Sequence, residues 1–276
     1  MKKVSVSIAK IVFYAIVFLL VFLPLLICIM NSFKSTSELI HSFIALPSKL
    51  TIDNYIYVIT EKNIFRYLLN SLLITSVGAR LSLLINPFIS YLIAVNWEKR
   101  WAKCLYFVFS CCMFIPSNLL IFPLIRIYYK VGLMNLAGLF LYYMVFMIPE
   151  NVFMLVPYFR TFNKELLDAA KMDGCSILSF YKRVFIPVCK PFVLAVLILN
   201  IIWIWNDFLM PLMILNKSPE MWSLPIFIYN FLGRNSAHKN YAFASCQIAL
   251  LPIIIFYVAF HKKIIEGLRI RMSKSV

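Results

Sequence analysis

The stretch Lys164-Glu165-Leu166-Leu167-Asp168-Ala169-Ala170-Lys171-Met172-Asp173-Gly174-Cys175-Ser176-Ile177-Leu178-Ser179-Phe180-Tyr181-Lys182-Arg183-Val184-Phe185-Ile186-Pro187 interrupts two apolar runs with a punctuated polar segment. Its periodicity predicts two short helices. In the first, Lys164, Glu165, Asp168 and Lys171 share a polar side, Leu166, Leu167, Ala170 and Met172 offer apolar surface, and Gly174 supplies a stop. Ser176 is placed to cap the second, in which Ile177, Phe180, Tyr181 and Val184 recur at helical spacing. Pro187 and Pro191 are expected to break that helix before the next apolar run. The small residues Ala169 and Ala170 would let another protein's surface approach the backbone. Amphipathicity alone favours a helix lying on a membrane surface.

The flanks decide the setting. Of 276 residues, 63% are hydrophobic and 14% charged, and the mean hydropathy of +0.88 lies far outside the range of water-soluble domains. A bilayer core needs about 20 apolar residues in helical form, because each backbone amide must find its partner within the segment. Uncharged runs accordingly predict an all-α polytopic membrane protein, one membrane domain over 1–276. Its six spans are expected near 11–33, 67–97, 104–126, 131–157, 191–216 and 240–260, with a cytoplasmic loop near 160–190. The first run is too long for a signal-peptide core and is read as a retained span. The segments at about 34–66 and 217–239 read as external loops with at most short helices.

Six spans put both termini on one side of the membrane, and the basic residues choose that side. Seventeen Lys and Arg fall with the termini, the 160–190 loop and the Lys99, Arg100 and Lys103 turn, and eight on the other face; Arg80 and Arg126 complete the 27. Both termini are therefore expected in the cytoplasm. The formal net charge of +16 is accounted for by these loops, and a nucleic-acid partner is not expected.

Several chemistries are excluded by spacing. The six glycines, at 78, 132, 138, 174, 233 and 267, contain no pair that could open a phosphate-binding G-x-x-x-x-G-K-[ST] loop or a G-x-G-x-x-G turn. His41, His238 and His261 are too scattered for a compact metal site. The seven cysteines, without a C-x-x-C pair, read as small buried hydrophobes. No catalytic residue, metal ligand or cofactor site is expected, and the chain is read as a non-enzyme.

The loop resembles the cytoplasmic signature of binding-protein-dependent ABC importer permeases, E-A-A, three residues, G, nine residues, I-x-L-P. Here it runs Asp168-Ala169-Ala170, three residues, Gly174, nine residues, Val184-x-Ile186-Pro187. Every spacing holds, with Asp for Glu as a shortened carboxylate. Further matches resemble the carbohydrate-uptake branch of the MalG kind: Asn54-Tyr55, Asn70-Ser71, Trp205-Asn206-Asp207-Phe208, Leu224-Pro225, Leu251-Pro252 and Glu266-Gly267-Leu268. A basic tail, Arg269-Ile270-Arg271-Met272, stands where the resembling family usually has small residues.

The resemblance implies the type I ABC importer permease fold and a bacterial cell-membrane location. It also implies half of a translocation pathway for a sugar or related carbohydrate. Glu165, Asp168, Ala169, Ala170, Asp173, Gly174 and Pro187 would couple this chain to an ATPase. The implied partners are a second, MalF-like permease, an ABC ATPase dimer using ATP and Mg, an extracellular solute-binding protein and membrane lipid. Arg80 and Asp207, ionisable groups at membrane depth, are with Asn206 the expected pathway residues, and Asn200 and Trp205 are further candidates. Snorkelling or structural pairing would account for Arg80, and helix packing for Asp207, in a structural reading of the same groups. An ion-coupled secondary carrier is the alternative, although it would leave the 168–187 pattern without a purpose.

Overall fold

A computed structural model describes residues 2–234 and 239–273; side chains of 1–9, 11, 164, 171, 234–238 and 261–276 are outside the description. Every regular element of the described chain is helical. Its helices are α1 (Lys2–Ser32), α2 (Thr36–His41), α3 (Asp53–Thr60), α4 (Ile64–Val95), α5 (Arg100–Cys112), α6 (Ser117–Lys130), α7 (Leu136–Phe146) and α8 (Ile148–Phe159). They continue as α9 (Lys164–Met172), α10 (Ile177–Phe180), α11 (Ile186–Asn206), α12 (Leu209–Leu215), α13 (Leu224–Arg234) and α14 (Lys239–Ser273). Among the described residues, five stretches are long and apolar enough to cross a membrane, and six if the bent α5–α6 pair counts as one. The resemblance at Glu266-Gly267-Leu268 falls on side chains outside the description.

Three expectations need correction. The third span, expected as one run over 104–126, is two helices bent by 100°. Pro116 stands at the bend in extended conformation, φ −60° and ψ 126°, where it lacks the N–H that would continue α5. Secondly, Pro187 and Pro191 do not break the second loop helix. A π-helical turn at Tyr181–Phe185 carries α10 into α11, and the wider turn accommodates a proline ring that would otherwise press on the preceding carbonyl. The fifth span therefore begins at Ile177 and runs to Asn206, and the chain turns at Asp207, φ −67° and ψ 124°, before α12. Finally, the cysteines are mostly not buried: Cys189 is, Cys28, Cys175 and Cys246 are half-buried, and Cys104, Cys111 and Cys112 are exposed on apolar helices.

The sequence reads as one membrane domain, whereas packing divides the chain into two compact units, 1–68 with 227–254, and 69–226 with the chain from 255 on. In the first unit, the apolar window of α1 is buried nowhere against the rest of the chain. Its end is nonetheless clasped by polar groups. Asn54 Nδ2 donates to the carbonyls of Ser32 and Lys34 at 2.7 and 2.9 Å, and Tyr55 meets the Ser32 hydroxyl at 2.6 Å. Asn240 Nδ2 donates to Asn54 Oδ1 at 2.6 Å and fastens the start of α14 to the same clasp. Lys34, fully buried, donates to the carbonyls of Ser42 and Phe43 at 3.0 and 3.3 Å. These bonds answer the desolvation cost of buried polar groups.

The second unit is built on an aromatic core in which Tyr91 of α4, Phe159 of α8, Phe180, Tyr181 and Phe185 of the α10–α11 join, and Phe192 of α11 pack together. Rings of Tyr91 and Phe185 stand 4.6 Å apart, and those of Phe159 and Phe185 4.8 Å. Two sequence motifs meet at the opposite end of this unit. Asn70 Nδ2 donates to the carbonyls of Glu220 and Trp222 at 2.9 and 3.0 Å, and Ser71 Oγ accepts from Leu224 N at 2.8 Å. The pairs Asn70-Ser71 and Leu224-Pro225 are thus two halves of one loop anchor.

Candidate functional site

Two sites lie in the second unit, at the two ends of one helix. The first is the loop of α9 and α10. Asn163 caps α9, its Oδ1 accepting from Glu165 N at 2.9 Å, while its Nδ2 meets the Glu165 carboxylate at 3.3 Å. The helix stops as its glycine requires. Gly174 has φ +74°, and Cys175 N donates back to Ala170 O at 2.9 Å, which satisfies an end carbonyl in the left-handed closing pattern. Ser176 then caps α10, its hydroxyl accepting from Ser179 N at 3.3 Å.

The apolar residues of α9 divide into two sets. Leu167 and Ala170 face the core, whereas Leu166 and Met172 are 51% and 89% exposed, as is Ile177 of α10 at 58%. Glu165, Asp168, Ala169, Asp173, Gly174 and Pro187 are exposed, and Ala170 is half-buried. The loop thus presents a mixed acidic and apolar outer face and is fastened beneath by Leu167, Phe180 and Phe185. Clefts of about 360 and 100 Å³ flank Leu167, the larger lined by Tyr91, Glu98, Lys99 and Ala170, the smaller by Arg160 and Asp168. Arg160 lies over the Trp97 ring at 3.9 Å, a cation–π contact that joins the ends of α4 and α8.

The second site is an open cavity of about 600 Å³ at the far end of α11, within the range of small-molecule sites. Asn206 and Asp207 line it together with Glu150, Asn200 and Trp203. Asp207 is held by Tyr143, whose hydroxyl donates to Oδ2 at 3.0 Å, and by the backbone N–H groups of Phe208, Leu209 and Met210 at the start of α12. Asn206 Nδ2 returns to the Ile202 carbonyl at 2.7 Å. Arg80 is exposed on α4 and does not line this cavity.

Apart from Asn200, sequence reasoning missed the polar cluster behind that wall. The amide nitrogens of Asn86, Asn151 and Asn200 stand at hydrogen-bond distance from Ser82 Oγ, at 2.8, 3.1 and 3.0 Å, and all four residues are buried. They come from α4, α8 and α11, so no local spacing signals them. The one available signal was the rarity of asparagine in apolar spans. Among the described residues no group of His, Cys, Asp or Glu is arranged to hold a metal ion.

Comparison with known proteins agrees with this geometry. Residues 86–270 match the family described as binding-protein-dependent transport system inner membrane component. The chain is 34% identical to the multiple sugar-binding transport system permease protein MsmG of Streptococcus mutans, over 91% of each chain. It is 32% identical to the arabinooligosaccharides transport system permease protein AraQ of Halalkalibacterium halodurans, over 94% of this chain and 92% of that one. A bacterial ABC transporter involved in import of the acidic polysaccharide alginate superposes with a TM-score of 0.81 at 21% identity, over 95% of this chain and 97% of that one. The ion-coupled carrier considered as an alternative is thereby set aside. With its exposed loop, its helical spans and two thirds of its length matched, the chain belongs to the family of binding-protein-dependent transport system inner membrane components and has the type I importer permease fold.

Proposed function

We propose that this chain is the permease subunit of an ATP-driven importer and forms half of the pathway for a sugar delivered by an extracellular solute-binding protein. The sugar class is supported by relatives whose names specify multiple sugars, starch degradation products and arabinooligosaccharides. A second, MalF-like permease would complete the pathway, and an ATPase pair would bind ATP and Mg, leaving this chain without a catalytic step. The setting is a bacterial cell membrane, with both termini in the cytoplasm on the strength of the basic-residue asymmetry.

The observation that carries the mechanism is the unbroken helical run from Ile177 to Asn206, 30 residues or about 45 Å at 1.5 Å per residue. Its near end is part of the loop carrying Asp168, Ala169, Ala170 and Gly174; its far end carries Asn206 and Asp207. A displacement of the loop by the ATPase is delivered through Leu167, Phe180 and Phe185 to α11. Packed cores switch between discrete arrangements instead of bending smoothly. ATP-driven closure would therefore rock the wall of the cavity as a unit, opening it to the binding protein and then to the cytoplasm.

The test is co-expression with the neighbouring genes and purification through this chain. An ATPase is expected to come down with it and to be lost with Gly174→Asp and Asp168→Lys, while both variants still insert in the membrane. A well-inserted wild-type chain that never retains an ATPase would overturn the reading.

A further inference from the structure

The cavity wall beside Asp207 carries more than the two residues already assigned to the pathway. Asn200, Trp203 and Asp207 stand at i, i+3 and i+7 along α11 and just past its end, so they share one face, and all line the same cavity as Glu150 of α8. Each of the three is fixed from behind. Asn200, only 6% exposed, donates its amide N–H to Ser82 Oγ at 3.0 Å, which leaves its carbonyl oxygen to accept from a ligand. The Trp203 indole is stacked on Phe146 at 5.9 Å and 25° and meets Tyr143 edge-on at 6.3 Å, yet it stays 37% exposed. Asp207 is held through Oδ2 by Tyr143 and by the backbone N–H groups of Phe208, Leu209 and Met210, which fixes its negative charge at the edge of the cavity.

A rigid aromatic plane flanked by preorganised amide and carboxylate acceptors matches the two-sided chemistry of a pyranose or furanose ring: C–H groups on one face, hydroxyl donors at the edge. The charge on the wall adds selectivity. It holds two carboxylates, Glu150 and Asp207, and among the described residues no Lys or Arg, so a uronate would meet like charge there, whereas a hydroxyl or an ammonium group would not. We propose that Asn200, Trp203 and Asp207, with Glu150, form a saccharide subsite within this chain, one that accepts a neutral or amino-sugar unit and rejects an acidic one. The proposal rests on the importer reading above.

The assembled transporter, with its second permease, ATPase pair and binding protein, is reconstituted in vesicles. Raffinose, arabinotriose, chitosan disaccharide and digalacturonate serve as probes, and uptake is measured together with ATP hydrolysed. The expected result is ATP-dependent uptake of at least one neutral or amino-sugar probe, at least tenfold faster than that of digalacturonate. Trp203→Ala should lower sugar moved per ATP at least tenfold while stimulation of ATP hydrolysis by the loaded binding protein persists. Trp203→Phe should retain most of the transport, which separates a stacking role from a fault in packing. The pair Glu150→Gln with Asp207→Asn should raise digalacturonate uptake relative to the neutral probe severalfold, the binding protein being the same. Unchanged sugar per ATP in Trp203→Ala, or unchanged selectivity in the double variant, would overturn the subsite. An assembled, ATP-hydrolysing transporter that moves none of the probes would overturn it together with its substrate class, whereas a chain that never assembles with an ATPase would overturn the importer reading itself.

Discussion

The hydroxyl of Tyr143 donates to the carboxylate of Asp207 across 3.0 Å, joining two helices whose residues lie 64 positions apart. The bond fixes the one acidic side chain at the turn between α11 and α12, at the edge of the cavity. Tyr143→Phe removes the donor and keeps the ring. A hydrogen bond to a charged group contributes roughly 1.5–3 kcal/mol, so the variant should melt several degrees lower in the purified complex. Asp207→Asn retains an acceptor for Tyr143 and should lose less than Asp207→Ala. Thermal unfolding of the three variants side by side checks the order; equal losses would mean that the bond does not hold the turn.

A second prediction concerns Gly174. Its φ of +74° lies in the left-handed region, and a Cβ added there meets nothing within 4 Å, so a substitution is resisted by backbone conformation alone. Gly174→Ala should cost about 1–2 kcal/mol, and Gly174→Asn less, because asparagine tolerates that region. The measurement is proteolysis of the α9–α10 loop in vesicles with the cytoplasmic side exposed: cleavage should rise in the order Gly, Asn, Ala. An alanine variant as resistant as wild type would show that the turn is held by something other than its glycine.

The loop was legible in sequence because charge, small residues, glycine and serine each carry a local meaning, and Gly174 and Ser176 do in the structure what their types dictate. The spans were legible as uncharged runs, but absence of charge says nothing about direction. The bend at Pro116 lies inside such a run, and the join at Tyr181–Phe185 passes through prolines that argue locally for a stop. The bend follows from the N–H that Pro116 lacks, whereas the join is decided by packing. Tyr91, Phe159 and Phe185 come from three separate helices, and their burial outweighs one lost backbone hydrogen bond. Likewise, Asn200 and Ser82 are 118 positions apart, beyond the reach of any periodicity.

Ser82 is the hydroxyl that three asparagine amides converge on in an apolar setting. Ser82→Ala leaves those N–H groups without that partner, at about 1–3 kcal/mol for each buried group left unsatisfied. The loss should exceed that of Ser76→Ala, an exposed hydroxyl on the same helix that bonds only to its own backbone at Leu73. Because Asn200 is one of the three, sugar moved per ATP should fall along with stability. Denaturation of the purified complex and vesicle uptake test the two halves of this prediction; a variant as stable as Ser76→Ala would mean the asparagines find other partners.

The continuity of α10 with α11 can be tested without touching either site. Inserting two glycines between Arg183 and Val184 places the flexible pair inside the π-helical turn, and glycine is the poorest ordinary residue at transmitting helical order, at about 1 kcal/mol each relative to alanine. The outer face of α9, with Asp168 and Gly174, lies before the insertion, and the cavity lies after it. An insertion that only loosens the join should therefore leave ATPase retention intact while uptake per ATP falls severalfold, a loss of coupling and not of assembly. A two-alanine insertion at the same place keeps the helix but rotates α11 by about 200° relative to α10, so it should impair assembly of the aromatic core and lower stability as well. If both insertions transported normally, the Ile177–Asn206 run would not be the lever, and force from the loop would have to travel through α4 or α8 by way of Tyr91 and Phe159.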